Sequence, residues 1–168
     1  MPYTVEEEQQ PKRPKGLQVL CILTFISTGL GLLSGIGRIV SGPMSAEAIE
    51  EERVKSLDMV EEFRSTGMDY VADLFNQLQH MMESVNAHFY PHAVLTLVQL
   101  ILGLIGAYFM FSGKKLGFHF YIIYCLLSVG ILFLFVSPVF IPAAVVIWDL
   151  IISGVFVFLS ARHLHWMR

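Results

Sequence analysis

Four long apolar runs, at residues 18–40, 92–112, 117–136 and 142–161, constrain this chain more than any other feature. Of its 11 basic and 14 acidic residues, only Arg38 and Asp149 fall inside them. Twenty helical residues rise about 30 Å, the thickness of a bilayer's hydrocarbon core. Backbone that crosses lipid must satisfy its own hydrogen bonds, so each run is expected to be a helix. The expected fold class is an all-α membrane protein: a four-helix transmembrane bundle with an extracytoplasmic helical hairpin between spans one and two. A soluble domain, a disordered chain and a disulfide scaffold are excluded. The 15% charged content is an average of two unlike halves, because nearly every charge lies outside the runs.

The expected organisation is a disordered cytoplasmic tail over 1–16, then spans at 17–40, 92–112, 117–136 and 142–162. They are joined by an amphipathic helical domain over 41–91, a cytoplasmic loop over 113–116 and an outer turn over 137–141. Residues 163–168 close the chain as a cytoplasmic terminus. A cleaved signal peptide is a poor account of the first run. It is longer than the roughly 7–15 residues of a signal core, it follows Glu6, Glu7 and Glu8, and no small-residue cleavage site succeeds it. Basic residues in short loops resist translocation. Lys12, Arg13 and Lys15, then Lys114 and Lys115, then Arg162 and Arg168 fall on one side of four alternating spans. Both termini are therefore expected in the cytoplasm. Cys21 and Cys125 lie within spans, where cysteine behaves as a small hydrophobe.

The segment 41–91 carries ten acidic and three basic residues, net −7. Pro43 and Ser45 suit a helix start, followed by Glu47, Glu50, Glu51 and Glu52 near the positive end of the dipole. Ser65-Thr66-Gly67 interrupts the pattern, and Thr66 is expected to cap a second helix. From there Val71, Leu74, Phe75, Leu78, Met82, Val85 and Phe89 follow helical spacing. Such a stripe needs an apolar partner: the first loop helix, the membrane interface or another protein. Phe75, Leu78, Met82 and Val85 are the partner-binding candidates. Within the spans, Gly31 and Gly35, and Gly103 and Ala107, stand at the four-residue interval that lets helices approach closely. They would serve packing within the bundle or association with a second copy. Tyr90, Tyr108, Tyr121 and Trp166 stand near span ends, where amphipathic rings favour the interface.

Asp149 is the charge that topology does not excuse. It falls roughly 12 Å into the fourth span, where a carboxylate costs about 2.5–3.5 kcal/mol on insertion scales. Gln99, Ser128 and Ser27, with Thr28 beside it, are expected at a similar depth, forming an intramembrane polar layer. The layer could relay protons or ions, fix helix register, or pair with a basic residue of another subunit. Arg38, at the end of the first span, is expected to snorkel to the interface. His88 and His92 have the i, i+4 interval of helical zinc ligands, but Pro91 lies between them and no zincin glutamate accompanies them. No phosphate-binding loop, dinucleotide fingerprint, nucleophile elbow or CxxC occurs. No metal and no cofactor is expected.

The glycine-rich first span after Lys12-Arg13-Pro14-Lys15, and Gly113-Lys114-Lys115-Leu116-Gly117-Phe118 before an aromatic third span, resemble small uncharacterised four-span inner-membrane proteins of bacteria. The resemblance implies a four-span fold and a bacterial inner membrane, and brings no functional residues with it. The function expected is that of a non-enzymatic accessory or scaffold subunit. Its partners would be the lipid bilayer and other membrane proteins or a second copy, and not nucleic acid. The alternative is a small oligomeric transporter or channel subunit working through Asp149.

Overall fold

The computed structural model describes residues 14–167. Six α-helices succeed one another: α1 (Lys15–Ser41), α2 (Ala46–Ser65), α3 (Asp69–Ala87), α4 (Phe89–Phe111), α5 (Leu116–Phe135) and α6 (Ala143–Ala161). Single 3-10 turns occupy Pro138–Phe140 and Leu164–Trp166, and no strand occurs among the described residues. Helices α1, α4, α5 and the α6 segment are long and apolar enough to cross a membrane. Most of the tail expected over 1–16 lies outside the described residues. Lys15 already belongs to α1, with Pro14 at the N-cap.

Helix α4 is the centre of the bundle, with α1 on one side and α5 on the other. Helix α6 packs on α5 and touches α1 more lightly. Buried residues concentrate where α1 begins, α4 ends and α5 begins: Leu17, Cys21, Met110, Tyr121 and Cys125 form one cluster. The chain's last turn joins it. Met167 is buried, Trp166 packs against the cluster, and the His163 ring lies over Gly16. Tyr121 is buried in this cluster and Trp166, part-buried, packs against it, where the final 3-10 turn folds back over this end.

The remaining two helices stand at the other end. Ser45 caps α2, its Oγ accepting the Ala48 N–H at 3.2 Å. Ser45→Ala is expected to cost about 1 kcal/mol locally. Faster hydrogen exchange at Ala48, by roughly fivefold, would register that loss; unchanged exchange would contradict it. On the exposed face of α2, Lys55 meets Glu51 at 2.8 Å, and the hydrogen bond holds the Glu51 carboxyl below its ordinary value.

Thr66 does not start α3 as expected: it ends α2. Its N–H bonds to the Glu62 carbonyl, and its hydroxyl donates to the carbonyls of Glu62 and Phe63. Gly67 follows with φ +78°, while Met68 N–H reaches back to Phe63 O at 2.9 Å. This closing motif requires a left-handed residue, and glycine supplies it without steric cost. Helix α3 then starts at Asp69, with no side-chain cap on Met68. It packs on α2, with Ala72 fully buried and Phe75 stacked on Phe63 at 5.3 Å. His88 alone separates α3 from α4, and Pro91 falls in the first turn of α4, where a missing N–H costs nothing.

Candidate functional site

Small residues set how closely the spans approach. A Cβ on Gly31 would meet the Leu100 side chain at 3.0 Å, and one on Gly35 would meet Leu97 at 2.9 Å. Gly103 faces Thr28 and Tyr124, and Ala107 is fully buried. All four residues singled out for packing therefore lie between helices of this chain. The tightest crossing is one that sequence spacing did not reveal. Gly106 of α4 and Gly117 of α5 meet backbone to backbone, a Cβ on Gly117 reaching Gly106 O at 2.7 Å as well as the Met110 nitrogen.

The polar residues expected in one layer separate into different environments. Thr24 and Thr28 are the buried hydroxyls of α1; they donate to the carbonyls of Leu20 and Thr24 at 3.0 and 2.6 Å. Ser27 is exposed, its hydroxyl turned onto Thr24 O at 3.1 Å, and so does not belong to the layer. A helix advances 100° per residue, so neighbours such as Ser27 and Thr28 cannot face the same partner. Gln99 is buried on α4 but does not line the cavity at Asp149. Ser128 does.

That cavity, of about 510 Å³, opens between α5 and α6. Asp149 and Ile152 come from α6, Ser128 and Leu132 from α5, and Leu74 and Leu78 from α3. Asp149 lies six residues beyond Ala143, half-buried, with Tyr124 and Cys125 as electrostatic neighbours on α5. Among the described residues its carboxylate has no hydrogen-bond or ion-pair partner. Helix α6 is also the least covered span: 6% of its apolar stretch is buried, against 17–28% for the others.

The apolar stripe of α3 lies largely against this chain. Phe75 faces α2, and Leu78 reaches the Asp149 cavity. Met82 and Val85 line a second cavity, of about 450 Å³, with Arg38 and Asn86. Asn86 ties this region together: it accepts from Met44 N–H at 2.8 Å and donates to Met44 O at 3.3 Å. The amphipathic helix thus meets its need for an apolar surface mainly on α2, with lighter contact to the Pro138–Phe140 turn and α4. Sequence periodicity identified the stripe but could not say what it covers.

The histidines of this end are engaged with aromatic rings. His80 lies 4.6 Å from Phe140, and His88 and His92 lie 5.9 and 5.5 Å from Phe135. No group of three candidate metal ligands gathers among the described residues. Comparison with known proteins finds no matching family model, no similar curated protein and no similar solved structure. The described residues have the architecture of an all-helical integral membrane protein, with four helices long and apolar enough to cross a bilayer.

Proposed function

We propose that this chain is a non-enzymatic accessory or scaffold subunit of a larger membrane complex, associating through its spans and its acidic outer helices. The observation that carries the reading is Asp149, a carboxylate with no hydrogen-bond or ion-pair partner among the described residues, in the wall of a groove along the least covered span. A carboxylate in hydrocarbon carries an insertion cost, which a basic group on a neighbouring protein would relieve. The reading sets the chain in a bacterial inner membrane with both termini cytoplasmic. The basic flanks support that orientation, since Lys15, Lys114, Lys115 and Arg162 border the end where α1 begins and α6 finishes. Helices α2 and α3 would then form an extracytoplasmic hairpin presenting ten acidic residues.

Purification of the native protein in mild detergent tests the proposal. The expected result is a stoichiometric second membrane protein that co-purifies reproducibly; a lone monomer would overturn it. The alternative reading, a transporter or channel subunit, draws on the same cavity. It requires water at Asp149, so rapid labelling of Asp149→Cys by a membrane-impermeant thiol reagent would favour it.

A further inference from the structure

We propose that the groove between α5 and α6 receives one transmembrane helix of a partner protein, carrying a lysine or arginine at the depth of Asp149. The inference rests on the subunit reading and supplies the chemistry of the partner.

Charge complementarity is the first argument. Asp149 lines the groove, and among the described residues no cation joins it there. Arg38, the other charged residue within the apolar runs, lines a separate cavity with Met82 and Asn86. Lys114, Lys115 and Arg162 belong to the opposite end of the bundle. A carboxylate in hydrocarbon and a cation on a neighbouring span each carry a desolvation penalty, and pairing relieves both at once.

Shape argues for a helix as the occupant. Trp148 and Ile152 line the groove, and Ile151, Val155 and Phe158 continue a row of exposed side chains at helical spacing along α6, which is exposed at Ile147 and Leu150 as well. This stripe continues well past the cavity, to the last turns of the helix, and so offers contact along the length of a docked span. Gly154 lies beside it with nothing within 4 Å of a Cβ position, leaving room for close backbone approach.

The direction of entry is the third argument. Leu74 and Leu78 of α3 wall the groove toward the α2–α3 end. An occupant arriving within the plane of the bilayer avoids that wall, whereas a solute entering from water at that end would meet two leucines first.

The test uses the full chain in phosphatidylcholine vesicles, labelled with a donor dye on Val139→Cys in the exposed α5–α6 connection. The probes are two polyleucine transmembrane peptides bearing an acceptor, one with a single mid-span lysine and one without. The lysine peptide is expected to associate about tenfold more tightly than its control. Asp149→Asn should remove that preference and Asp149→Glu should retain it, with circular dichroism confirming that both variants are folded. Equal association of the two peptides, or a preference that survives Asp149→Asn, would overturn the proposal. So would Asp149-dependent binding of the lipophilic cation tetraphenylphosphonium without peptide binding, which would make the groove a small-cation site. Peptide docking to a chain that purifies alone would sink the subunit reading and leave the groove chemistry standing. A chain that co-purifies with a partner yet ignores the lysine peptide would sink only the groove assignment.

Discussion

Gly117→Ala is expected to separate α4 from α5 and to be the most damaging single-methyl change in the protein. The added Cβ would meet backbone: the Met110 nitrogen, Gly106 O at 2.7 Å and the Phe109 carbonyl carbon at 2.8 Å. A long side chain in the way can rotate aside, but a helix backbone moves only as a unit. Relief therefore requires the two helices to part, and every contact near the crossing loosens with them. Tyr121 and Cys125, one and two turns further along α5, belong to the main buried cluster and would be drawn away from Met110. Overpacking of a close-packed site costs about 1–3 kcal/mol, and a backbone-on-backbone clash belongs at the upper end of that range. Gly29→Ala and Gly37→Ala provide the contrast. A Cβ at either position meets nothing within 4 Å, so the usual helical gain of roughly 0.5–1 kcal/mol over glycine should appear. Thermal unfolding of the three variants in one detergent compares them directly. A Gly117→Ala chain as stable as the wild type would refute the backbone crossing.

The same pair of glycines illustrates what the sequence made legible. The spans were readable because membrane crossing imposes a local requirement, about twenty apolar residues in succession, and each run satisfies it by itself. Gly31 and Gly35, or Gly103 and Ala107, were also readable because their spacing lies within one helix. Gly106 and Gly117 belong to different helices joined by a tight turn, so no interval within a helix connects them. Their encounter depends on the turn at Gly113, where φ is +76° and Lys114 N–H closes back on Phe109 O at 2.8 Å. Thr66 with Asp69 after it fits a helix start, because Ser/Thr followed by an acidic residue describes one. The glycine immediately after it changes the meaning, since a left-handed residue there terminates the preceding helix. Ser27 faces outward while Thr28 is buried, because depth along a span can be estimated from sequence, whereas the facing direction is fixed by the neighbours. For α3, the periodicity gave the stripe, but only packing joins Leu78 to the Asp149 cavity and Phe75 to Phe63.

Asp149→Leu is expected to stabilise the isolated chain while weakening the association proposed for it. A buried polar group that holds a fold together has a partner, and removing it strands that partner at a cost of about 1–3 kcal/mol. Asp149 has no hydrogen-bond or ion-pair partner among the described residues, and Ser128 shares its cavity without bonding to it. Leucine would instead match Leu74, Leu78, Leu132 and Ile152 around it. Relief of the insertion penalty sets the size of the gain, up to about 3 kcal/mol, reduced in proportion to the access that the open cavity gives to the carboxylate. Unfolding in mixed micelles of increasing denaturing detergent measures it, and a destabilised Asp149→Leu chain would show that the carboxylate holds the bundle in register. The opposite change is expected in the membrane, where co-purification with the proposed partner should fall by an order of magnitude or more, since one desolvated charge pair is worth at least about 1.4 kcal/mol when its other half is left behind. A residue whose loss strengthens the solitary protein and weakens the assembly is acting on something outside the chain, and the two measurements together separate that role from a structural one.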